Sequence, residues 1–136
     1  MPEGHCVVLV DDDAALAEMY RLGLSLEGFR VVALPDAMHL NQVVEEHSAD
    51  VVILDWDLPG MRGDEALERL RRANPGRTTP VLMLSNFPRT PGGAVGRVFQ
   101  LGALAWLEKV NTTPPGLAVR LRELLADDVS SPKSTG

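Results

Sequence analysis

The chain has 136 residues, a hydrophobic fraction of 45% and a formal net charge of −6. Its length and apolar content are typical of one packed domain, and no apolar run approaches the ~20 residues that a membrane span requires. The acidic balance disfavours nucleic-acid binding, which needs a basic face. Because the start of the chain lacks a basic segment and its first apolar run stops at three aspartates, we expect no signal peptide and a cytoplasmic location.

Apolar runs and helical patterns alternate along the sequence. The runs begin near residues 6, 30, 51, 80 and 105, and this alternation indicates βαβ units and a parallel sheet. Val51–Leu54 is apolar throughout, as expected for a strand that helices cover on both faces. The sequence therefore predicts an α/β fold with five parallel strands and five helices.

The first three predicted helices begin at residues that favour a helix start. Asp13 is the predicted N-cap of the first helix, which we expect to end at Gly28. Asp36 is the predicted N-cap of the second helix. Gly63 opens the third helix, in which acids occupy the first turn and arginines lie near the end. This charge distribution favours the third helix because it complements the helix dipole.

The last two predicted helices differ in their intrinsic stability. Thr90-Pro91 is the predicted start of the fourth helix, which three following glycines make weak. Thr113-Pro114 opens the fifth helix, and the residues that face inward are Leu117, Leu121, Leu124 and Leu125. We assign residues 5–126 to a single domain and expect residues 127–136 to form a disordered tail.

Polar side chains follow four of the five predicted strands at the point where each apolar run ends. In open parallel sheets, ligands bind at the carboxyl ends of the strands. We therefore expect these side chains to converge on one site at that edge. The residues are Asp11, Asp12 and Asp13 after the first strand, Asp55 after the third, Ser85 after the fourth and Lys109 just beyond the fifth.

The acidic residues in this group indicate a site for a hard cation. Helix capping accounts for Asp13, but it does not explain why Asp11, Asp12 and Asp55 all lie at strand ends. Like charges at close range raise one another's pKa unless a cation neutralises them. Mg²⁺ is the natural candidate, because it prefers hard oxygen ligands.

Asp55 has two possible roles in such a site, as a metal ligand and as a nucleophile. A carboxylate can accept a phosphoryl group and form an aspartyl phosphate. Charge on the phosphoryl oxygens then requires positive and hydrogen-bonding partners. Mg²⁺, the Lys109 ammonium and the Ser85 hydroxyl are the available candidates.

Motifs in a fixed order along the chain resemble the receiver domain of bacterial response regulators. They are Val10-Asp11-Asp12, Asp55-Trp56-Asp57-Leu58-Pro59-Gly60-Met61-Arg62-Gly63, Leu84-Ser85-Asn86 and Trp106-Leu107-Glu108-Lys109, and the resemblance covers roughly residues 5–126. It implies a doubly wound, flavodoxin-like fold with strand order 2-1-3-4-5. It also implies phosphorylation on aspartate by a histidine kinase or a histidine phosphotransfer partner.

The resemblance assigns roles to individual residues. It makes Asp55 the phosphoacceptor, Asp12 the direct Mg²⁺ ligand and Asp11 a ligand that acts partly through water. The backbone carbonyl of Asp57 would be a further Mg²⁺ ligand.

The remaining roles concern the charge of the pocket and the switch. Lys109 would pair with the acidic pocket, and Ser85 would be the hydroxyl that turns toward the phosphoryl group. Trp106 takes the position of the aromatic residue that moves with this hydroxyl. Val110 stands where the family usually has proline, so we expect the loop after Lys109 to differ.

Two other functions remain as alternatives. Asp55-Trp56-Asp57 also fits the short motif of haloacid-dehalogenase-type phosphatases, with Asp55 as nucleophile and Asp57 as general acid. A receiver-like adaptor that signals without phosphorylation is the second alternative. Because no output domain follows in this sequence, we expect a stand-alone receiver that binds a downstream target protein or passes its phosphoryl group to a phosphotransfer domain.

Overall fold

The computed structural model describes residues 4–74, 76, 78–89 and 93–135, without the side chains of Ala94 and residues 127–135. Its central sheet has five parallel strands in the order β2-β1-β3-β4-β5, which confirms the predicted doubly wound topology. The strands are β1 Cys6–Val10, β2 Arg30–Leu34, β3 Val51–Asp55, β4 Val81–Ser85 and β5 Ala105–Glu108.

Five helices connect and cover these strands. They are α1 Ala14–Leu26, α2 Leu40–His47, α3 Gly63–Ala73, α4 Gly93–Gln100 and α5 Pro114–Thr135. A short hairpin, in which Asp57–Leu58 pairs with Met61–Arg62, separates β3 from α3. A 3₁₀ turn over Lys109–Asn111 follows β5. Within the described ranges, no helix has both the length and the apolar character that crossing a bilayer demands.

Two hydrophobic clusters lie on opposite faces of the sheet. Successive side chains of a strand point to opposite faces, so Val8 contributes to one cluster and Leu9 to the other. The Val8 cluster is covered by α2, α3 and α4, and the Leu9 cluster by α1 and α5. All of β1 and β3 is buried, which explains why their sequences are apolar without alternation.

Helix α1 begins and ends as the sequence predicts. The Asp13 carboxylate accepts the backbone N–H of Leu16 at 3.1 Å and caps the helix. At the other end, Gly28 adopts a φ of +100°, a conformation that favours glycine.

The predicted cap of α2 was wrong. Asp36 accepts the N–H of Met38 at 2.9 Å, and the helix begins later, at Leu40, with His39 as an N-cap that makes no side-chain hydrogen bond. An Asx turn satisfies the Asp36 side chain locally, so the carboxylate is occupied before the helix starts.

Helices α4 and α5 are described from Gly93 and from Pro114. Thr90-Pro91, the predicted start of the fourth helix, lies outside the described residues, and α4 is described from Gly93. The backbone of α5 is described as helical from Pro114 to Thr135, and the disorder expected for residues 127–136 stays a prediction. The division into a domain over residues 5–126 and a tail stays a prediction.

Candidate functional site

Three carboxylates meet at the carboxyl edge of the sheet. Asp55 is the last residue of β3, and Asp11 and Asp12 directly follow β1. The two strands are neighbours in register, with Val10 opposite Leu54, so the acids that follow lie side by side. One carboxylate oxygen from each acid lies within 4.8 Å of the others. Asp11 and Asp55 are buried, whereas Asp12 is exposed to solvent.

Lys109 joins this acidic cluster from the end of β5. Its Nζ lies 2.9 Å from Asp11 Oδ2 and 3.1 Å from Asp55 Oδ2, and its side chain is only 7% exposed. Burial by itself would lower the pKa of Lys109, but the attraction of the two carboxylates outweighs that effect and raises the pKa. The lysine is therefore held as an ammonium between two acids.

The two oxygens of Asp55 have different partners. Oδ1 accepts the backbone N–H of Asp57 at 3.2 Å, and Oδ2 accepts from Lys109 at 3.1 Å. Burial raises the pKa of Asp55 to about 6, while the Asp57 N–H and Lys109 act in the opposite direction and Asp11 adds to the increase. A cation placed beside these acids would lower this pKa and favour the carboxylate.

The acidic cluster fits a divalent cation. Asp11 Oδ1 accepts the N–H of Asp13 at 2.9 Å. Asp11 Oδ2 is buried without a well-directed hydrogen bond from any described residue, although it is ion-paired with Lys109. The exposed Asp12 carboxylate makes no hydrogen bond with the described part of the chain. Mg²⁺ prefers hard oxygen ligands, and the carboxylate oxygens of Asp11 and Asp12 are of this type.

Ser85 and Trp106 are linked through the backbone of one residue. Ser85 Oγ, at the buried end of β4, accepts the N–H of Phe87 at 2.9 Å. The indole Nε1 of Trp106 donates to the carbonyl of Phe87 at 3.0 Å. The Trp106 ring also packs against Trp56, with ring centroids 5.3 Å apart and a tilt of 54°. The structure thus connects the two predicted switch residues through Phe87. It also connects Trp106 to Trp56, the residue that directly follows Asp55.

The sequence matches the family model of the response regulator receiver domain over residues 7–118. The chain belongs to this family. The fold, the parallel strand order and the acidic group at the strand ends are in accord with that membership. Receiver domains interact in general with histidine kinases and downstream effectors.

Curated relatives share the receiver domain within longer chains. The phosphate regulon transcriptional regulatory protein PhoB of Pseudomonas aeruginosa is 28% identical over 122 residues, which are 90% of this chain and 52% of that protein. A protein-glutamate methylesterase/protein-glutamine glutaminase 2 of the same organism is 32% identical over 105 residues, which are 76% of this chain and 29% of the relative. The chain therefore spans about half or less of the length of these relatives.

Solved structures show the same fold. The chemotaxis protein CheY4 of Vibrio cholerae is 27% identical, with a TM-score of 0.78 over 88% of this chain and 98% of that one. A CheY-like receiver domain from Methanospirillum hungatei has a TM-score of 0.82 over 94% of this chain and 98% of that one. At 23% identity, the likeness between this chain and the Methanospirillum hungatei domain is one of fold.

An ion-pair network ties α4 of the receiver domain to α3, and sequence reasoning missed it. The buried Asp64 carboxylate contacts Arg62 at 3.2 Å and Arg97 at 3.1 Å, and Arg97 also pairs with Glu68. From the pattern alone, Asp64 is one of the acids that favour the start of α3. The separation of 33 residues between Arg97 and Asp64 left no local signal of this contact.

Helix α3 also contacts both the acidic cluster and the end of α4. The N–H of Gly63 donates to the carbonyl of Trp56 at 2.8 Å, and a Cβ at position 63 would lie 3.0 Å from the carbonyl oxygen of Asp55. Arg71, near the other end of α3, donates to the Leu101 carbonyl at 2.8 Å. The Leu101 carbonyl follows the last residue of α4 and attracts the Arg71 cation, because carbonyls at a helix C-terminus carry partial negative charge. The start of α3 is therefore packed against the backbone of Asp55.

Proposed function

We propose that this receiver domain accepts a phosphoryl group on Asp55 in a Mg²⁺-dependent reaction. The donor would be a histidine kinase or a histidine phosphotransfer protein, and the output would be altered binding of a downstream target protein. The observation that carries the proposal is the buried Asp55 carboxylate, which lies between the Lys109 ammonium and two further acids at the edge of the sheet. The cytoplasmic location stays a prediction.

The proposed reaction assigns one task to each residue of the site. A carboxylate oxygen of Asp55 attacks the phosphorus, and the bond between phosphorus and the donor nitrogen breaks. Lys109 neutralises charge on the phosphoryl oxygens. Asp11, Asp12 and Asp55, with the backbone carbonyl of Asp57, would hold Mg²⁺, which when bound supplies positive charge to the phosphoryl oxygens.

The Ser85–Phe87–Trp106 contacts suggest how the phosphoryl group would alter the surface. The hydrogen bond between the Phe87 N–H and Ser85 Oγ is neutral and worth roughly 0.5–1.5 kcal/mol, whereas a bond from the hydroxyl to a charged phosphoryl oxygen is worth roughly 1.5–3 kcal/mol. We expect Ser85 to rotate so that its hydroxyl donates to a phosphoryl oxygen, and because this rotation moves Oγ away from Phe87, it releases the Phe87 N–H. Because Trp106 is bonded to the carbonyl of the same residue, its contact changes with that release.

Stoichiometry provides the direct test of this function. With acetyl phosphate and Mg²⁺, the chain should gain a single base-labile phosphoryl group, measured by intact mass. Continuous turnover of a generic phosphate monoester would instead support the phosphatase alternative. Absence of any labelling, by acetyl phosphate or by kinases, would favour the adaptor.

Intrinsic fluorescence should report both Mg²⁺ and the phosphoryl mimic beryllofluoride. Trp56 directly follows Asp55, and the Trp106 ring contacts the Trp56 ring. Binding of Mg²⁺ or of beryllofluoride should therefore alter the tryptophan emission without unfolding the domain. Trp56→Phe should remove most of the Mg²⁺ response and leave a Trp106 signal that responds more to beryllofluoride. If titration with both ligands leaves the wild-type emission unchanged, the proposed site geometry is wrong.

Helix α4 is expected to exchange its amide hydrogens faster than α1, α3 and α5. It is short, and its interior Gly96 costs roughly 0.5–1 kcal/mol relative to alanine. Beryllofluoride should change the protection of α4 more than that of the other helices. Hydrogen exchange with mass spectrometry would measure this, and equal protection in both states would favour the adaptor.

A pair of arginine variants tests the link between α3 and α4. Arg97→Met should accelerate exchange in α4, because it removes the contacts with Asp64 and Glu68. Arg72→Met is the control, since the ion pair that it removes is an exposed contact with Glu68 within α3. Equal exchange in the two variants would mean that the ion pairs do not hold α4.

A further inference from the structure

Tyr20 is a buried polar side chain with no role in the proposed reaction. It lies in α1 with no exposed surface, and it is the only tyrosine of the chain. Its hydroxyl donates a hydrogen bond of 2.7 Å to the backbone carbonyl of Thr112, which is 92 residues away in sequence. Tyr20 therefore connects the helix that follows Asp11 and Asp12 to the loop that follows Lys109.

The contacts of Thr112 explain why this connection matters for Lys109. Lys109 begins the 3₁₀ turn, in which Val110 and Asn111 are exposed. The N–H of Thr112 donates to the Lys109 carbonyl at 3.2 Å, and its hydroxyl donates to the Glu108 carbonyl at 2.7 Å. Thr112 thus closes the turn on itself, and the Tyr20 hydroxyl attaches the closed turn to the body of the domain.

Close packing at the next turn of α1 supports the same attachment. Gly23 lies against Pro114, the first residue of α5, and a Cβ at position 23 would come within 2.3 Å of the Pro114 Cβ. The segment from Thr112 to Pro114 is therefore in contact with α1 at two successive turns of that helix.

We propose that Tyr20 is a positioning residue that sets the location of the Lys109 ammonium. The inference rests on the proposed function, in which Lys109 neutralises the phosphoryl oxygens. Lys109 Nζ lies 2.9 Å from Asp11 and 3.1 Å from Asp55, so a shift of the loop away from the two acids would lengthen both distances. Because phosphoryl transfer depends on positioning and electrostatic stabilisation, loss of the Tyr20 hydroxyl slows the reaction without removing any group that touches it.

Tyr20→Phe tests the proposal, because it deletes the hydroxyl and keeps the ring that fills the core. We expect labelling by acetyl phosphate at saturating Mg²⁺ to slow by about 3- to 10-fold. The affinity for Mg²⁺, measured by fluorescence, should not weaken, because the carboxylates remain in place. Slower labelling accompanied by weaker Mg²⁺ binding would indicate general damage to the site and would overturn the proposal.

Two controls separate positioning from a general loss of stability. Val44→Ala truncates a buried residue of α2 on the other face of the sheet, so it lowers stability without touching the loop. Asn111→Ala removes an exposed contact between the 3₁₀ turn and Glu108, the last residue of β5, but leaves Thr112 attached to Tyr20. Both variants should label at the wild-type rate. A rate loss in Val44→Ala equal to that in Tyr20→Phe would overturn the proposal.

Amine footprinting measures the placement of Lys109 without requiring phosphorylation. Lys109 and Lys133 are the only lysines of the sequence, so modification of Lys109 can be expressed relative to Lys133 in the same molecule. Tyr20→Phe should raise the relative modification of Lys109, whereas Asn111→Ala should not. Unchanged modification in Tyr20→Phe overturns the positioning role. Failure of wild-type labelling overturns the proposed function instead, and the footprint still decides the role of Tyr20.

Discussion

Asp55→Asn is expected to abolish phosphoryl labelling of the chain by acetyl phosphate and Mg²⁺. The substitution keeps the size of the side chain, and its carbonyl oxygen can still accept the Asp57 N–H that bonds to Oδ1. It removes the carboxylate nucleophile, and an amide does not form the acyl phosphate. Intact mass spectrometry should show a single added phosphoryl group for the wild type and none for the variant.

Asp55→Asn should remain folded, so that a loss of labelling reports the missing carboxylate and not an unfolded chain. Burial raises the pKa of Asp55 to about 6, which means that the surroundings disfavour its charged form. The ion pair of Lys109 with Asp11, whose atoms lie 2.9 Å apart in the wild type, does not depend on a charge at residue 55 and should remain. The melting temperature should therefore be unchanged or higher.

Asp36→Asn is the matched control for the loss of labelling. It makes the same chemical change in the loop before α2, where the new side-chain oxygen still accepts the Met38 N–H. This variant should label like the wild type. Labelling of Asp55→Asn to the wild-type extent would show that the nucleophile is a different residue.

Asp12→Ala is expected to weaken Mg²⁺ binding by about tenfold or more. The Asp12 carboxylate is exposed and belongs to the acidic cluster. Even in water, a divalent cation and a carboxylate about 4 Å apart attract each other by roughly 2 kcal/mol, which exceeds a tenfold change in affinity. Fluorescence titration of the tryptophans or isothermal calorimetry would measure the affinity.

Asp13→Ala provides the comparison at the adjacent residue. Asp13 accepts the Leu16 N–H as the N-cap of α1, and the loss of such a cap costs about 1 kcal/mol of stability. This variant should melt at a lower temperature and bind Mg²⁺ nearly as well as the wild type. If it lost Mg²⁺ binding while Asp12→Ala kept it, the assignment of ligands after β1 would be wrong by one residue.

Local patterns were sufficient to predict the alternating strands and helices. Runs such as Val51–Leu54 identified buried parallel strands because helices cover both faces of the sheet. Asp13 was predicted correctly as a cap, since capping depends on residues three positions apart. Asp36 was predicted wrongly, because the same side chain can also satisfy an N–H two residues away and form an Asx turn instead.

The candidate site was predictable for a related reason. A parallel sheet brings the carboxyl ends of its strands to one edge, so acids that end two apolar runs meet once the strands are neighbours. The resemblance to receiver domains supplied the strand order and the separate roles proposed for Asp55, Ser85 and Lys109. The structure adds the distances that unite Lys109 with Asp11 and Asp55.

The sequence by itself determined which segments form strands and helices, and which polar residues end the strands. Only the tertiary structure decided the contacts between segments far apart in the chain. The bond from Tyr20 to Thr112, the ion pair of Asp64 with Arg97 and the pairing of Trp56 with Trp106 are of this kind. Such contacts depend on how each helix is rotated and how far it approaches its neighbour. Those variables are set by the packing of the whole core, so no short window of sequence contains them.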